Sequence, residues 1–192
     1  MSVAMASTNK TAISGMLVMN LVLALAYAIE VVKDARSLGS YLIVLALCVL
    51  PCVCGVGAFL RKNDSVAVRY IFATGFALLY AYIMFTTTTN LVFCYVIVAY
   101  VILMVYTDVK LLLGLGIFAI LASIVLMVKK VMAGTLVGVE VTQAEIILAC
   151  IILTTIFGVM AVKKISAINT ANLVKAEEEK EKAANLLDTT LK

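Results

Sequence analysis

The chain contains no histidine, one proline and few charges. Without histidine, the side chain that most readily exchanges protons near neutral pH and most often ligates metals is missing. No glycine-rich phosphate loop occurs; Gly114 and Gly116 fall inside an apolar run, where close helix packing accounts for them. These absences leave little for an enzyme to work with, and no catalytic, metal or cofactor residue is expected. Charged residues make up 14% of the chain, against about 25% in a typical soluble domain. A basic nucleic-acid surface is excluded too: the net charge is +4, and the basic residues stand singly or in pairs at the ends of apolar runs, where they anchor helices to headgroups.

What is present is apolar side chain, at 65% of 192 residues, with a mean hydropathy of +1.16. A soluble fold of this size cannot hide that much apolar surface, whereas lipid can surround it. The apolar runs are continuous and about twenty residues long, which suits helices, not the ten-residue alternation of a membrane β-barrel. Only Pro51 interrupts helix propensity, at the middle of the second run, where a kink is expected if neighbouring helices cover the carbonyl it frees. The expected fold is all-α: a polytopic membrane protein with a six-transmembrane-helix bundle and a C-terminal cytoplasmic helix.

The six spans are expected over residues 11–32, 40–60, 66–85, 91–106, 111–128 and 141–162. Residues 1–10 form an N-terminal segment, 11–164 the membrane module and 165–192 a helical tail. The first run is too long for the apolar core of a cleaved leader and lacks a small-residue cleavage site, so it reads as a retained span. An even number of spans puts both ends on one side. Lys10, Arg61, Lys62, Arg69, Lys110, Lys163 and Lys164 share that side, and Lys33, Arg36, Lys129 and Lys130 the other. The bias puts both termini in the cytoplasm of a bacterium, with the bundle in its cytoplasmic (inner or plasma) membrane.

In the tail, Leu173, Ala176, Lys180, Ala183 and Leu187 recur at steps of three and four. That is coiled-coil spacing, weakened by two alanines and a lysine on the seam. The glutamates 177–179 and 181 suit a solvated face with i,i+4 pairs such as Glu178 with Lys182. The five cysteines lie inside apolar runs and read as small packing residues, not a disulfide framework.

Few residues could carry a site. Asn20, near the middle of the first span, is a candidate interhelical hydrogen-bonding or substrate-facing group; such a bond contributes about 1 kcal/mol or less. Glu30 and Glu145 lie about one turn from the outer ends of their spans. With Glu140 they are candidates for an acidic mouth, or are simply solvated at headgroup level. Tyr80, with Tyr82, Tyr95 and Tyr100, is a candidate cavity-lining residue. Arg69 opens the third span and Asp108 closes the fourth, so the two can form a clamp at the cytoplasmic face.

Three stretches carry a resemblance: residues 69–76 (RYIFATGF), 85–93 (FTTTTNLVF) and 106–110 (YTDVK). In order and spacing they resemble the six-span N-terminal region of certain methyl-accepting chemotaxis proteins of Firmicutes, and residues 175–192 look like the start of their cytoplasmic signalling helix. The resemblance implies a membrane sensory module whose last span drives a cytoplasmic coiled coil, a homodimer joined through the tail, and control of a histidine kinase through an adaptor. The chain departs from that family in stopping before any kinase-coupling hairpin tip, as a fragment or a lone membrane module would, and in lacking a HAMP-like linker. The family supplies no ligand residues to transfer. Two other functions fit the same composition: a small multi-span transporter or channel, and a membrane anchor that recruits a partner by its tail.

Overall fold

The computed structural model describes residues 2–86, 90–135 and 138–190; side chains are described only within 4–183, without Asn90 and Leu91. Every regular element among the described residues is helical: α1 (Ser2–Val32), α2 (Leu38–Arg61), α3 (Ala67–Thr86), α4 (Cys94–Leu103), α5 (Val109–Met132) and α6 (Val139–Thr190). Short 3-10 turns, Asn90–Phe93 and Met104–Tyr106, flank α4. Five of the helices are long and apolar enough to cross a membrane, so the chain is an all-α membrane protein. Thr87, Thr88 and Thr89 of the resemblance lie outside the described residues.

Local chemistry sets the helix ends. Ser37 caps α2, its hydroxyl accepting from the Ser40 N–H at 3.3 Å. Asp108 caps α5, its carboxylate accepting from the Lys110 and Leu111 N–H groups at 3.0 and 3.2 Å. Each meets donors that the first helical turn leaves without partners. Thr107 precedes that cap in the left-handed region, at φ 50°, and leaves two residues between the 3-10 turn after α4 and the start of α5.

Two bounds differ from the hydropathy reading. Helix α1 begins at Ser2, not near residue 11, because nothing in the polar first turns breaks a helix. The expected span over 91–106 is α-helical only from Cys94 to Leu103. An apolar run reports burial in lipid, not helix type, so the 3-10 turns at its ends left no mark in hydropathy. Pro51 does not break α2, which stays helical through it.

Helices consecutive in the chain pack antiparallel, as the Asn20–Cys48, Pro51–Gly75 and Tyr100–Leu112 contacts show. α1, α2 and α3 form one sheaf, α5 and α6 pair beside it, and α4 touches α1, α3, α5 and α6. Phe72, Tyr80, Tyr100, Leu103, Leu112 and Ile151 are among the most buried side chains. Large apolar residues such as Leu21, Val53, Ile117 and Phe157 lie on the outer surface, as lipid-facing positions do. Glycines let three of these helices close up. The Cβ positions of Gly55, Gly75 and Gly116 fall within 2.6 Å of Phe72, Pro51 and Tyr100 respectively. Cys48 and Cys52 are buried as packing residues, but Cys54 and Cys94 are exposed, and all five thiols are free.

Past Val162 every described side chain, through residue 183, is exposed. The seam residues Leu173, Ala176, Lys180 and Ala183 are among them; Leu187 lies outside the described side chains.

Candidate functional site

Polar groups gather at three levels. At the end of the bundle where α3 begins, Arg69 and Asp108 form an ion pair of 2.9 Å, with side chains 19% and 17% exposed. The two residues named together from sequence do meet. Arg69 also lies over the Tyr70 ring, 4.8 Å from its centroid. Since Asp108 caps α5 as well, one carboxylate ties the start of α3 to the start of α5. Beside this, buried Asn9 donates through its amide to the Asn63 and Ser65 carbonyls at 2.9 and 3.1 Å, pinning α1 to the turn between α2 and α3. Asn9 went unnoticed in the sequence because it lies in a stretch that reads as a polar N-terminal segment. Its only signal is that it is the amide nearest the first apolar run.

The middle level is built on Tyr100 of α4. Its hydroxyl donates to the Leu112 carbonyl of α5 at 2.7 Å and lies 3.2 Å from the Thr155 hydroxyl of α6. Thr155 in turn donates to the Ile151 carbonyl at 2.8 Å. Gly116 lets the tyrosine reach this point, since a Cβ there would sit 2.1 Å from the Tyr100 hydroxyl oxygen and 2.4 Å from Thr155. Three helices thus share one buried hydroxyl contact. Tyr100 had been named only as a cavity-lining candidate, and Thr155 not at all. A threonine inside an apolar run is a weak signal, because its hydroxyl can always bond back to its own helix. Tyr100→Phe is expected to lower stability by about 1 kcal/mol, read as the midpoint shift in a detergent unfolding titration. Thr155→Val should cost less, because the Leu112 bond remains.

Asn20 lies at about the same depth, 9% exposed. Its amide donates to the Cys48 carbonyl and the Cys52 sulfur, each at 3.1 Å, and so joins α1 to α2. Tyr80 is buried and stacks on Phe76 with centroids 5.8 Å apart. Its hydroxyl has no hydrogen bond of good geometry, with Ser123 of α5 as its polar neighbour. It packs in the core and lines none of the cavities described below.

At the opposite end two of the three candidate acidic residues are paired with bases. Glu30 pairs with Arg36, which also stacks over Tyr27 at 4.5 Å. Glu140 pairs with Lys130 at 3.5 Å. Glu145 stands exposed on α6. Each of these two ion pairs bridges a helix to the connection or helix beside it. The Lys130–Glu140 pair also borders a cavity of about 30 Å³ between α3, α5 and α6, lined also by Met84, Ser123, Met127 and Ile147. Among the described residues no group of three His, Cys, Asp or Glu side chains could hold a metal ion.

No protein-family model, curated protein or solved structure matches the chain.

Proposed function

We propose that the chain is a membrane-embedded sensory input module, which passes a shift of its last span to a cytoplasmic helix. One observation carries this reading: α6 runs unbroken for 52 residues, from Val139 to Thr190. Such a helix is ~78 Å long, more than twice the ~30 Å of a bilayer core. Inside the bundle it packs through Ile151, Thr155 and Val162; beyond, it is bare. A rigid rod held at one end by the Tyr100 contact is suited to carrying a small tilt, rotation or piston movement outward. The exposed seam of Leu173, Ala176, Lys180 and Ala183 suits pairing with a second copy. A kinase-controlling segment would follow, reached through an adaptor, as in the chemoreceptors that the sequence resembles.

The same reading takes α4 as a sixth span. Arg69 at the start of α3 touches Asp108 just after α4, so the chain, having travelled the length of α3, must come back along the bundle between Thr86 and Asp108. Ten α-helical residues and seven in 3-10 turns give a rise of ~29 Å, close to the bilayer core. Six crossings put both termini on the side richer in Lys and Arg, the cytoplasmic side of a bacterial plasma membrane.

A transporter would be favoured by a helix interrupted at mid-membrane, and α1, α2, α3, α5 and α6 are continuous. Fusing the chain at Lys192 to a kinase-controlling cytoplasmic hairpin tests the proposal. Thr155→Val should shift kinase output, and Ala167→Pro, which breaks α6 past the membrane, should make output independent of residue 155. Output indifferent to both would leave an anchor that only recruits a partner. Reporter fusions after Lys62, Asn90, Lys130 and Lys192 are expected to read inside, outside, outside and inside. An outside reading at Lys192 would remove the proposed output.

A further inference from the structure

Pro51 has no N–H, so the Leu47 carbonyl, one turn earlier in α2, lacks the helical partner that its neighbours have. In a membrane interior such a group must find a donor elsewhere. Asn20 of α1 reaches the same turn of α2. Its amide nitrogen is committed to the Cys48 carbonyl and the Cys52 sulfur. Those two acceptors also fix which way the amide faces, since the flipped amide would set oxygen against oxygen. The Asn20 Oδ1 atom is consequently left buried without a donor.

The two residues that carry these acceptors border one small space. A cavity of about 10 Å³ lies between α1, α2 and α3, lined by Met16, Asn20, Leu47, Pro51, Gly75 and Phe76, among others. That is the room one water molecule needs. Two residues with unmet oxygen acceptors beside a water-sized volume suit a small molecule with two donors. A bound metal cation would require about six oxygen ligands, and the remaining lining is hydrocarbon and methionine sulfur.

We infer that this cavity is a binding site for a single structural water, which donates one hydrogen to Asn20 Oδ1 and the other to the Leu47 carbonyl. The water stands in for the N–H that Pro51 lacks. It ties α1 to α2 just before the proline, beside the Cys48 carbonyl that the Asn20 amide nitrogen already holds, and the same nitrogen reaches Cys52 just beyond it. Proline and asparagine thus form one unit, although they stand 31 positions apart in the chain.

Hydroxyl-radical footprinting of the full chain in lipid nanodiscs, run in ¹⁸O-labelled water, tests the site. Met16 and Met19 line it and are 1% and 8% exposed, so bulk solvent does not reach them. Both are expected to take up the label in the wild type and to lose it in Asn20→Leu. Wild-type sulfurs that stay unlabelled at doses that oxidise Met132, 84% exposed, would overturn the inference. So would labelling that persists in Asn20→Leu. A double-mutant cycle gives a second reading. Pro51→Ala restores an N–H to Leu47, so Asn20→Leu should lower the folded-to-unfolded ratio about tenfold more in the wild-type chain than in the Pro51→Ala background. Equal losses in the two backgrounds would show that no water links the residues.

Discussion

A methyl group added at Gly75 is expected to destabilise the bundle by about 3 kcal/mol, the upper part of the range for overpacked cores. The new Cβ would lie 2.3 and 2.4 Å from the Cγ and Cβ atoms of Pro51. Most crowded side chains turn aside, but a proline ring is closed onto its own backbone and cannot. Relief therefore requires α2 and α3 to separate, and theirs is the most extensive helix contact in the molecule. The check is a detergent unfolding titration of Gly75→Ala alone and with Pro51→Gly. Removing the ring and its Cβ leaves only the residue 51 Cα, at 3.7 Å, so Gly75→Ala should be nearly silent in that background. If the two losses simply add, the contact is not the cause.

The second large effect is expected at the ion pair of Arg69 and Asp108. Removing one member of a well-buried pair costs about 3–5 kcal/mol. Here both side chains keep nearly a fifth of their exposure, and water relieves part of that. Asp108→Asn keeps an oxygen to cap α5 but discards the charge; it is expected to cost about 2 kcal/mol. Asp108→Ala also abandons the Lys110 and Leu111 N–H groups and should cost about 1 kcal/mol more. Arg69→Leu combined with Asp108→Asn should cost less than the two single changes summed, because no unpaired charge remains. Thermal unfolding of the four variants measures all of this, and strict additivity would mean that the pair contributes nothing as a pair.

Composition alone was enough to read an all-α membrane protein, because lipid is the only environment that accepts so much apolar side chain in runs of this length. The Arg69–Asp108 pair was legible for a related reason. Charges are confined to the ends of spans, so two opposite charges at the same end have few other partners. The Tyr100 contact was not legible. Its geometry depends on Gly116 leaving a gap at the depth where Thr155 passes, and hydropathy does not register which faces of three helices meet. The acidic residues turn on a detail that hydropathy also misses. Glu30 and Glu140 each have a base within reach, Arg36 and Lys130. The tail seam is a property of two chains, so one chain displays only its exposure.

Helix α4 holds one further consequence. A 3-10 residue rises about 2.0 Å and an α residue 1.5 Å, and seven residues beside α4 are in the longer form. Recasting them as α-helix would draw the segment in by ~3.5 Å, about the difference between a thin and a thick biological bilayer. With α4 across the membrane as proposed, the other spans would answer a change of thickness by tilting, kinking or deforming the bilayer, whereas this one would also change its own length. Under that proposal it would act as an expansion joint, coupled through the Tyr100 hydroxyl to α5 and α6.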